Sequence, residues 1–196
     1  MLKPETVKTY ELIYEQFIAE HVKMSVGGFY YKITELIRQQ TDPDDGLLVN
    51  ENSGDVSTKG IEFEIESKWK NGLQGRFSYT YLDAKDSFTR TIPVNSPRSL
   101  AKLNLIIPVY PEKIFAGLEM QYVGPRKTPL NRTAGGAFVG NATLFAQQIV
   151  KDLEFSFSVY NVLDKKYVDP GGDEHPEDAI TQDGRSVRAK LTYRFP

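Results

Sequence analysis

The chain has 196 residues, no cysteine, and 24 Lys+Arg against 26 Asp+Glu for a net charge of −2. That balance excludes a basic footprint for nucleic acid, and the missing thiols exclude disulfide staples, zinc–thiolate sites and cysteine nucleophiles. Mean hydropathy is −0.41 and no run approaches the ~20 apolar residues of a membrane helix, yet a membrane β-barrel stays open because half of each strand faces a polar interior.

The start, Met1-Leu2-Lys3-Pro4-Glu5, has no apolar h-region, so no secretory signal is expected in it. For an outer-membrane protein, the signal and early domains are then expected upstream, with Met1 not the native start. Period-two patterning predicts nine strands, near 6–18, 22–37, 58–70, 73–85, 98–108, 114–125, 137–149, 153–164 and 184–195. The clearest is 58–70. Ile61, Phe63, Ile65 and Trp69 fall on one face, broken only by Ser67, while Glu62, Glu64, Glu66 and Lys68 fall on the other. Asn71-Gly72 follows, a dipeptide suited to a two-residue hairpin with two positive φ values. The alternation then resumes with Leu73, Phe77, Tyr79 and Tyr81. Leu103, Leu105 and Ile107 repeat the pattern further on, as do Phe155, Phe157 and Val159.

Two features separate this from a soluble β-sandwich, which also alternates apolar and polar faces. Soluble strands usually run ~5–6 residues, whereas these reach about twelve, which at ~3.3 Å per residue and a ~45° tilt rise about 28 Å, enough for an apolar band of ~25 Å. The connections also alternate in length. Ala19–His21, Asn71-Gly72, Tyr110–Lys113 and Lys151-Asp152 are short; Arg38–Ser57, Asp86–Pro97, Arg126–Ala137 and Lys165–Asp183 are long and polar. Periplasmic turns and extracellular loops follow that rhythm. Trp69, Tyr110 and Phe155 beside short turns, and Tyr122 beside a long loop, suit interfacial girdles, or ordinary cross-strand packing. The expected fold is all-β: an antiparallel up-and-down meander of about nine long strands, part of a transmembrane β-barrel. Nine is odd, whereas bacterial single-chain barrels are even, and two long edges remain. Edge satisfaction predicts that an isolated chain does not stay an open sheet. Either one peripheral segment peels away and eight strands close, or the edges pair with a second copy.

Ordered fragments carry a resemblance to a known family. Leu2-Lys3-Pro4-Glu5 with Tyr10-Glu11-Leu12, then Phe29-Tyr30-Tyr31 through Glu35-Leu36-Ile37, Gly60-Ile61-Glu62, Tyr79-Thr80-Tyr81, Asn95-Ser96-Pro97-Arg98 and Tyr122-Val123-Gly124 come first. Tyr160-Asn161-Val162-Leu163-Asp164-Lys165-Lys166-Tyr167, Gly184-Arg185 and Tyr193-Arg194-Phe195 complete the order. This resembles the barrel of TonB-dependent outer-membrane receptors. The resemblance implies that 1–196 is the C-terminal portion of a barrel of about 22 strands, plugged by an N-terminal domain outside this chain. It implies a transporter for a siderophore, cobalamin or other chelate. Its implied partners are the TonB complex through that N-terminal region, the barrel-assembly machinery through the C-terminal strand, outer-membrane lipid, and a small-molecule ligand. Pro196 after Phe195 departs from the family's aromatic ending.

No residue is assigned a catalytic, cofactor or metal role. Glu62, Glu64 and Glu66 are read as a water-lined lumen face, since nothing nearby splits their pKa values or supplies a nucleophile. Asp42-Pro43-Asp44-Asp45-Gly46 fails the calcium-loop pattern, because Leu47 stands where its glycine belongs. His175, within Asp173–Asp178, has only flexible carboxylates around it. His21, the other histidine, is predicted at the opposite end, so no two-histidine site or triad spans both. Gly135-Gly136 with Gly140 matches no phosphate-binding spacing. Arg126, Arg132 and His175 remain as candidate ligand contacts in the long loops, against the plainer reading of solubilising loop charge. The alternatives are an outer-membrane barrel enzyme with active residues at the extracellular rim, and a soluble β-sandwich binding module.

Overall fold

The computed structural model describes residues 2–172 and 175–195. Met1, Asp173, Glu174 and Pro196 lie outside the described residues, and so do the expectations that rest on them: the start at Met1, the loop placement of Asp173 and the ending at Pro196.

Among the described residues the chain forms strands and no helix. In order they are β1 (Thr6–Ala19), β2 (Val22–Thr34), β3 (Ile37–Thr41), β4 (Leu48–Asn52), β5 (Val56–Lys68), β6 (Gln74–Asp86), β7 (Ser99–Tyr110) and β8 (Ile114–Val123). They continue with β9 (Arg126–Lys127), β10 (Thr133–Ala134), β11 (Ala137–Gln147), β12 (Leu153–Tyr160), β13 (Val168–Pro170), β14 (Ala179–Thr181) and β15 (Ser186–Tyr193). The nine long strands make one antiparallel sheet in the order β1-β2-β5-β6-β7-β8-β11-β12-β15. The others pair two by two inside three of the long loops, β3 with β4, β9 with β10, and β13 with β14. Each wall strand thus pairs with the next, as a meander requires. The predicted strands end where the backbone turns left-handed: Glu35, Gln148 and Asn161 have φ of 58°, 53° and 48° and cut short the expected 22–37, 137–149 and 153–164.

Register settles which residues share a face. Ile61 stands opposite Gly28 and Tyr81, and Phe63 opposite Val26 and Tyr79. On the other face, Glu62 stands between Gly27 and Thr80, and Glu64 between Ser25 and Ser78. Extended across all nine strands, one face carries Leu12, Val26, Ile65, Phe77, Leu105, Leu118, Leu144 and Phe157, whereas the other carries Lys102, Asn104, Glu119, Gln121, Asn141 and Ser158. The polar face is laced by cross-strand bonds, among them Arg76 to Glu64 at 2.6 Å and Lys23 to Glu15 at 2.6 Å.

A soluble sandwich is ruled out by burial. Among the described residues no second layer packs on the apolar face: Ala84, Ala134 and Ala137 are the buried hydrophobic residues, and Leu12 is 80% exposed. Accessible surface is 13755 Å², against about 9,400 Å² for a packed monomer of this mass. An apolar sheet face with no protein layer on it needs a bilayer.

Two expectations are corrected. The hairpin after β5 is not a two-residue turn, since only Gly72 has a positive φ, +89°. Its N–H bonds the Trp69 carbonyl at 3.0 Å while Trp69 N–H bonds Leu73 at 2.9 Å, giving a three-residue loop with glycine at the left-handed position. Nor does the sheet close on eight strands: β1 and β15 stand at its two ends, each paired on one side only. The bulges sit at turn ends, at Phe17/Ala19 and Pro108/Tyr110. The wall therefore has no corner at which to fold back on itself.

Candidate functional site

All four long loops lie at one end of the sheet, and side chains rather than ladders tie them together. Arg126, on β9, is 9% exposed. Its Nη2 meets Asp169 Oδ1 in the β12–β15 loop at 2.5 Å, and its Nη1 donates to Asn95 Oδ1 in the β6–β7 loop at 3.2 Å. Asn95 N–H also donates to the Lys127 carbonyl at 2.9 Å. Asp178 binds the β9–β10 hairpin from the other side, accepting from Thr128 Oγ1 at 2.9 Å and Leu130 N–H at 2.8 Å. The β2–β5 hairpin joins the cluster through Arg38 and Asp86 at 2.6 Å, a pair whose carboxylate is 5% exposed.

The base of the β12–β15 loop is a polar knot. Asn161 is 4% exposed in the left-handed region, which asparagine tolerates. Its Nδ2 donates to the Lys165 and Asp183 carbonyls, and its Oδ1 accepts from Lys165 N–H. Asp164 accepts from Arg185 N–H at 2.8 Å and Lys166 Nζ at 3.2 Å. These bonds hold its carboxyl below the usual carboxylate value.

Beneath this roof lies a concave pocket of about 450 Å³ on the polar face. Lys102, Asn104, Glu119, Gln121 and Asn141 form its wall; Arg126, Tyr167 and Asp169 close its upper side. Burial, reinforced by the nearby Asp169 charge, raises the Tyr167 phenol above its ordinary pKa. The arrangement offers charges of both signs, amides and a phenol in a solvent-filled concavity of small-ligand size.

Of the three loop residues singled out by sequence, Arg126 is the buried clamp at the pocket. Arg132 is exposed near the β9–β10 hairpin tip, its N–H bonded to Thr128 Oγ1 at 3.0 Å. His175 is exposed in the β12–β15 loop, its N–H bonded to the Gly172 carbonyl at 2.9 Å. The structure does not bring these two to Arg126. No cluster of three metal-ligating side chains occurs among the described residues. Asn95, Tyr167, Asp169 and Asp178 were missed as site residues, although Asn95 and Tyr167 lay in segments with a sequence signal, the Asn95–Arg98 and Tyr160–Tyr167 stretches. His21 lies beside Trp69, with ring centroids 5.6 Å apart and planes tilted by 48°, at the opposite, short-turn end.

The family description "TonB dependent receptor-like, beta-barrel" matches residues 1–162. The chain belongs to that family of bacterial outer-membrane barrels, which are receptors and not enzymes. Among solved structures it is similar to the ferric-catecholate import receptor Fiu of Escherichia coli K12, with TM-score 0.77, 18% identity, and 99% of this chain and 28% of that one covered. It is similar to the siderophore receptor PiuA of Acinetobacter baumannii, with TM-score 0.80, 18% identity, and 98% and 29% covered. It is also similar to the copper transporter OprC, with TM-score 0.76, 15% identity, and 99% and 33% covered. The chain therefore spans a third or less of the length of these structures. At these identities the likeness carries the fold.

Proposed function

We propose that this chain forms wall strands and surface loops from the C-terminal part of a receptor barrel that takes up a small chelate across the outer membrane. The observation that carries the reading is the pocket on the lumen face, roofed by loops that Arg126 clamps together. A ligand arriving from the loop side meets Lys102, Arg126 and Tyr167 before anything deeper in the wall. The Lys102 charge and the hydrogen-bonding capacity around it suit an anionic, oxygen-rich metal chelate; a ferric catecholate and a siderophore are named for two of the similar structures. Arg132 and His175, exposed on loops, are first-encounter contacts in this reading. Arg126 holds the roof over the pocket.

The bare edges of β1 and β15 suit neighbouring barrel strands, and the apolar face suits outer-membrane lipid. A plug domain would pack against the lumen face, TonB would act through the region N-terminal to this chain, and the assembly machinery would read the last strand. The test is uptake of radioactive iron from a panel of ferric chelates by cells whose only such receptor carries this chain. Uptake of at least one chelate is expected, and its rate should fall with Lys102→Glu. No uptake of any chelate, or full uptake by the variant, would count against the reading. Topology has its own test. A cysteine at position 175 should label on intact cells and one at position 71 should not; the reverse would invert the barrel.

A further inference from the structure

The pocket beneath the loop roof is lined by five ionisable side chains, Lys102, Glu119, Arg126, Tyr167 and Asp169. Three of them leave no net charge. Arg126 and Asp169 are bonded to each other, and the raised pKa of the Tyr167 phenol keeps it protonated and neutral. What remains is one cation, Lys102 on β7, and one anion, Glu119 on β8. Both are exposed, and neither has an ion-pair partner among the described residues.

Their register makes that separation informative. Lys102 stands opposite Gln121 and Glu119 opposite Asn104, so the two charges are diagonal neighbours on adjacent strands, about 7–8 Å apart along the sheet. Elsewhere on the same polar face that diagonal closes. Arg76 reaches Glu64, and Lys23 reaches Glu15, from the same relative register, each at 2.6 Å. Glu119 is turned the other way, toward β11, where its Oε2 accepts from Asn141 Nδ2 at 3.2 Å. The Asn141 amide cannot flip without setting donor against donor, because its Oδ1 accepts the Asn161 N–H at 3.0 Å. Asn161 is fixed in turn by the buried knot at the base of the β12–β15 loop. A chain of three residues thus holds a carboxylate away from the lysine that would otherwise neutralise it. Opposite charges kept apart and anchored from behind are what recognition of a charged ligand requires.

We infer that the end of the ligand lodged in this pocket is dipolar, with a carboxylate against Lys102 and an ammonium against Glu119. A chelate with only anionic groups gains Lys102 but meets the Glu119 carboxylate with a like charge, which selects against it. The inference rests on the chelate-uptake reading above and narrows it to amino-carboxylate chemistry at the periphery of the ligand.

The test measures equilibrium binding by calorimetry to the full receptor carrying this chain, purified in detergent. The probes are four linear ferric trihydroxamates that share one uncharged iron core. One ends in a free ammonium and a free carboxylate, one has the amine acetylated, one has the carboxylate amidated, and one has both capped. The doubly charged probe should bind tightest, and each cap should weaken it a few-fold, as loss of a partly exposed ion pair does. Lys102→Gln should abolish the penalty for capping the carboxylate and keep that for capping the amine; Glu119→Gln should do the converse. Lys190→Gln, on the polar face but outside the pocket, should leave both penalties as in the parent. Equal binding of the four probes by the parent, failure of the doubly charged probe to bind, or equal loss of all four in either pocket variant overturns the dipolar site. Uptake of any chelate in the wider panel would still leave the receptor reading standing, whereas a receptor that takes up none sinks both.

Discussion

The wall strands and the long loops meet at the same strand ends, yet different forces hold them. In the wall, Ile65 and Phe77 face outward, half-buried within the sheet, and the backbone ladder is continuous. Its stability comes from hydrogen bonds between strands and from the surrounding solvent, which must be apolar on one side only. In the loops the ladders shrink to hairpins of two to five residues per strand, and order comes from side chains such as Arg126, Asp178 and Asn161. A wall of this kind tolerates change on its wet face and resists charge on its dry one. A loop cluster fails at single knots, without loss of the wall.

The largest test of that contrast sets two neighbours on β5 against each other. Ile65→Arg puts a charge on the lipid face and should cost ~2–4 kcal/mol if the site lies near the bilayer midplane. Glu64→Arg loses a partly exposed pair with Arg76 and should cost about 1 kcal/mol or less. Unfolding in lipid vesicles by denaturant measures both. Equal costs would mean that the faces are misassigned.

The next test moves to the roof. Arg126→Met removes a buried charge-assisted bond to Asp169 and one to Asn95, for about 2–3 kcal/mol of local stability. Amide exchange should quicken in the β6–β7, β8–β11 and β12–β15 loops together while wall amides stay protected. Exchange quickening in only one of the three loops would show that Arg126 is not a shared clamp. Asn161→Ala should do less, about 1–2 kcal/mol, because its bonds are neutral, although alanine at φ 48° adds backbone strain.

What could be read in advance follows the same division. A strand writes its two faces into the sequence at period two, so Ile61–Trp69 declared both its structure and its solvent before any fold was known. Strand ends were less legible because a left-handed residue such as Glu35 or Gln148 carries no type signal; neither is glycine or asparagine. The hairpin at Asn71-Gly72 was misread for a related reason, since one positive φ or two cannot be told from the dipeptide. The loop cluster was least legible. Arg126 and Asp169 lie 43 residues apart and Thr128 and Asp178 lie 50 apart, and no periodicity links such partners. Arg126 was noticed for its charge, which is the property the fold has already used. Asn161 sat inside a stretch that the family resemblance had marked, so its importance was visible although its bonds were not.

The smallest expected effect concerns acid. Asp164 is exposed at the surface, and its carboxyl is held below the ordinary 3.8 chiefly by the Arg185 N–H, then by Lys166. A depressed carboxylate stabilises the folded loop at pH values above its unfolded pKa, and that contribution fades as pH falls through the lower, folded value. The knot at the base of the β12–β15 loop should therefore be at full strength at neutral pH and loosen only under strong acid. The Arg185 amide, which donates to Asp164 Oδ1 at 2.8 Å, is the direct reporter. Its NMR shift in detergent micelles should titrate with a midpoint below 3.8, and Asp164→Asn should abolish that titration while leaving the wall strands unchanged. A midpoint at or above 3.8 in the parent would show that the bond does not hold the carboxylate in solution.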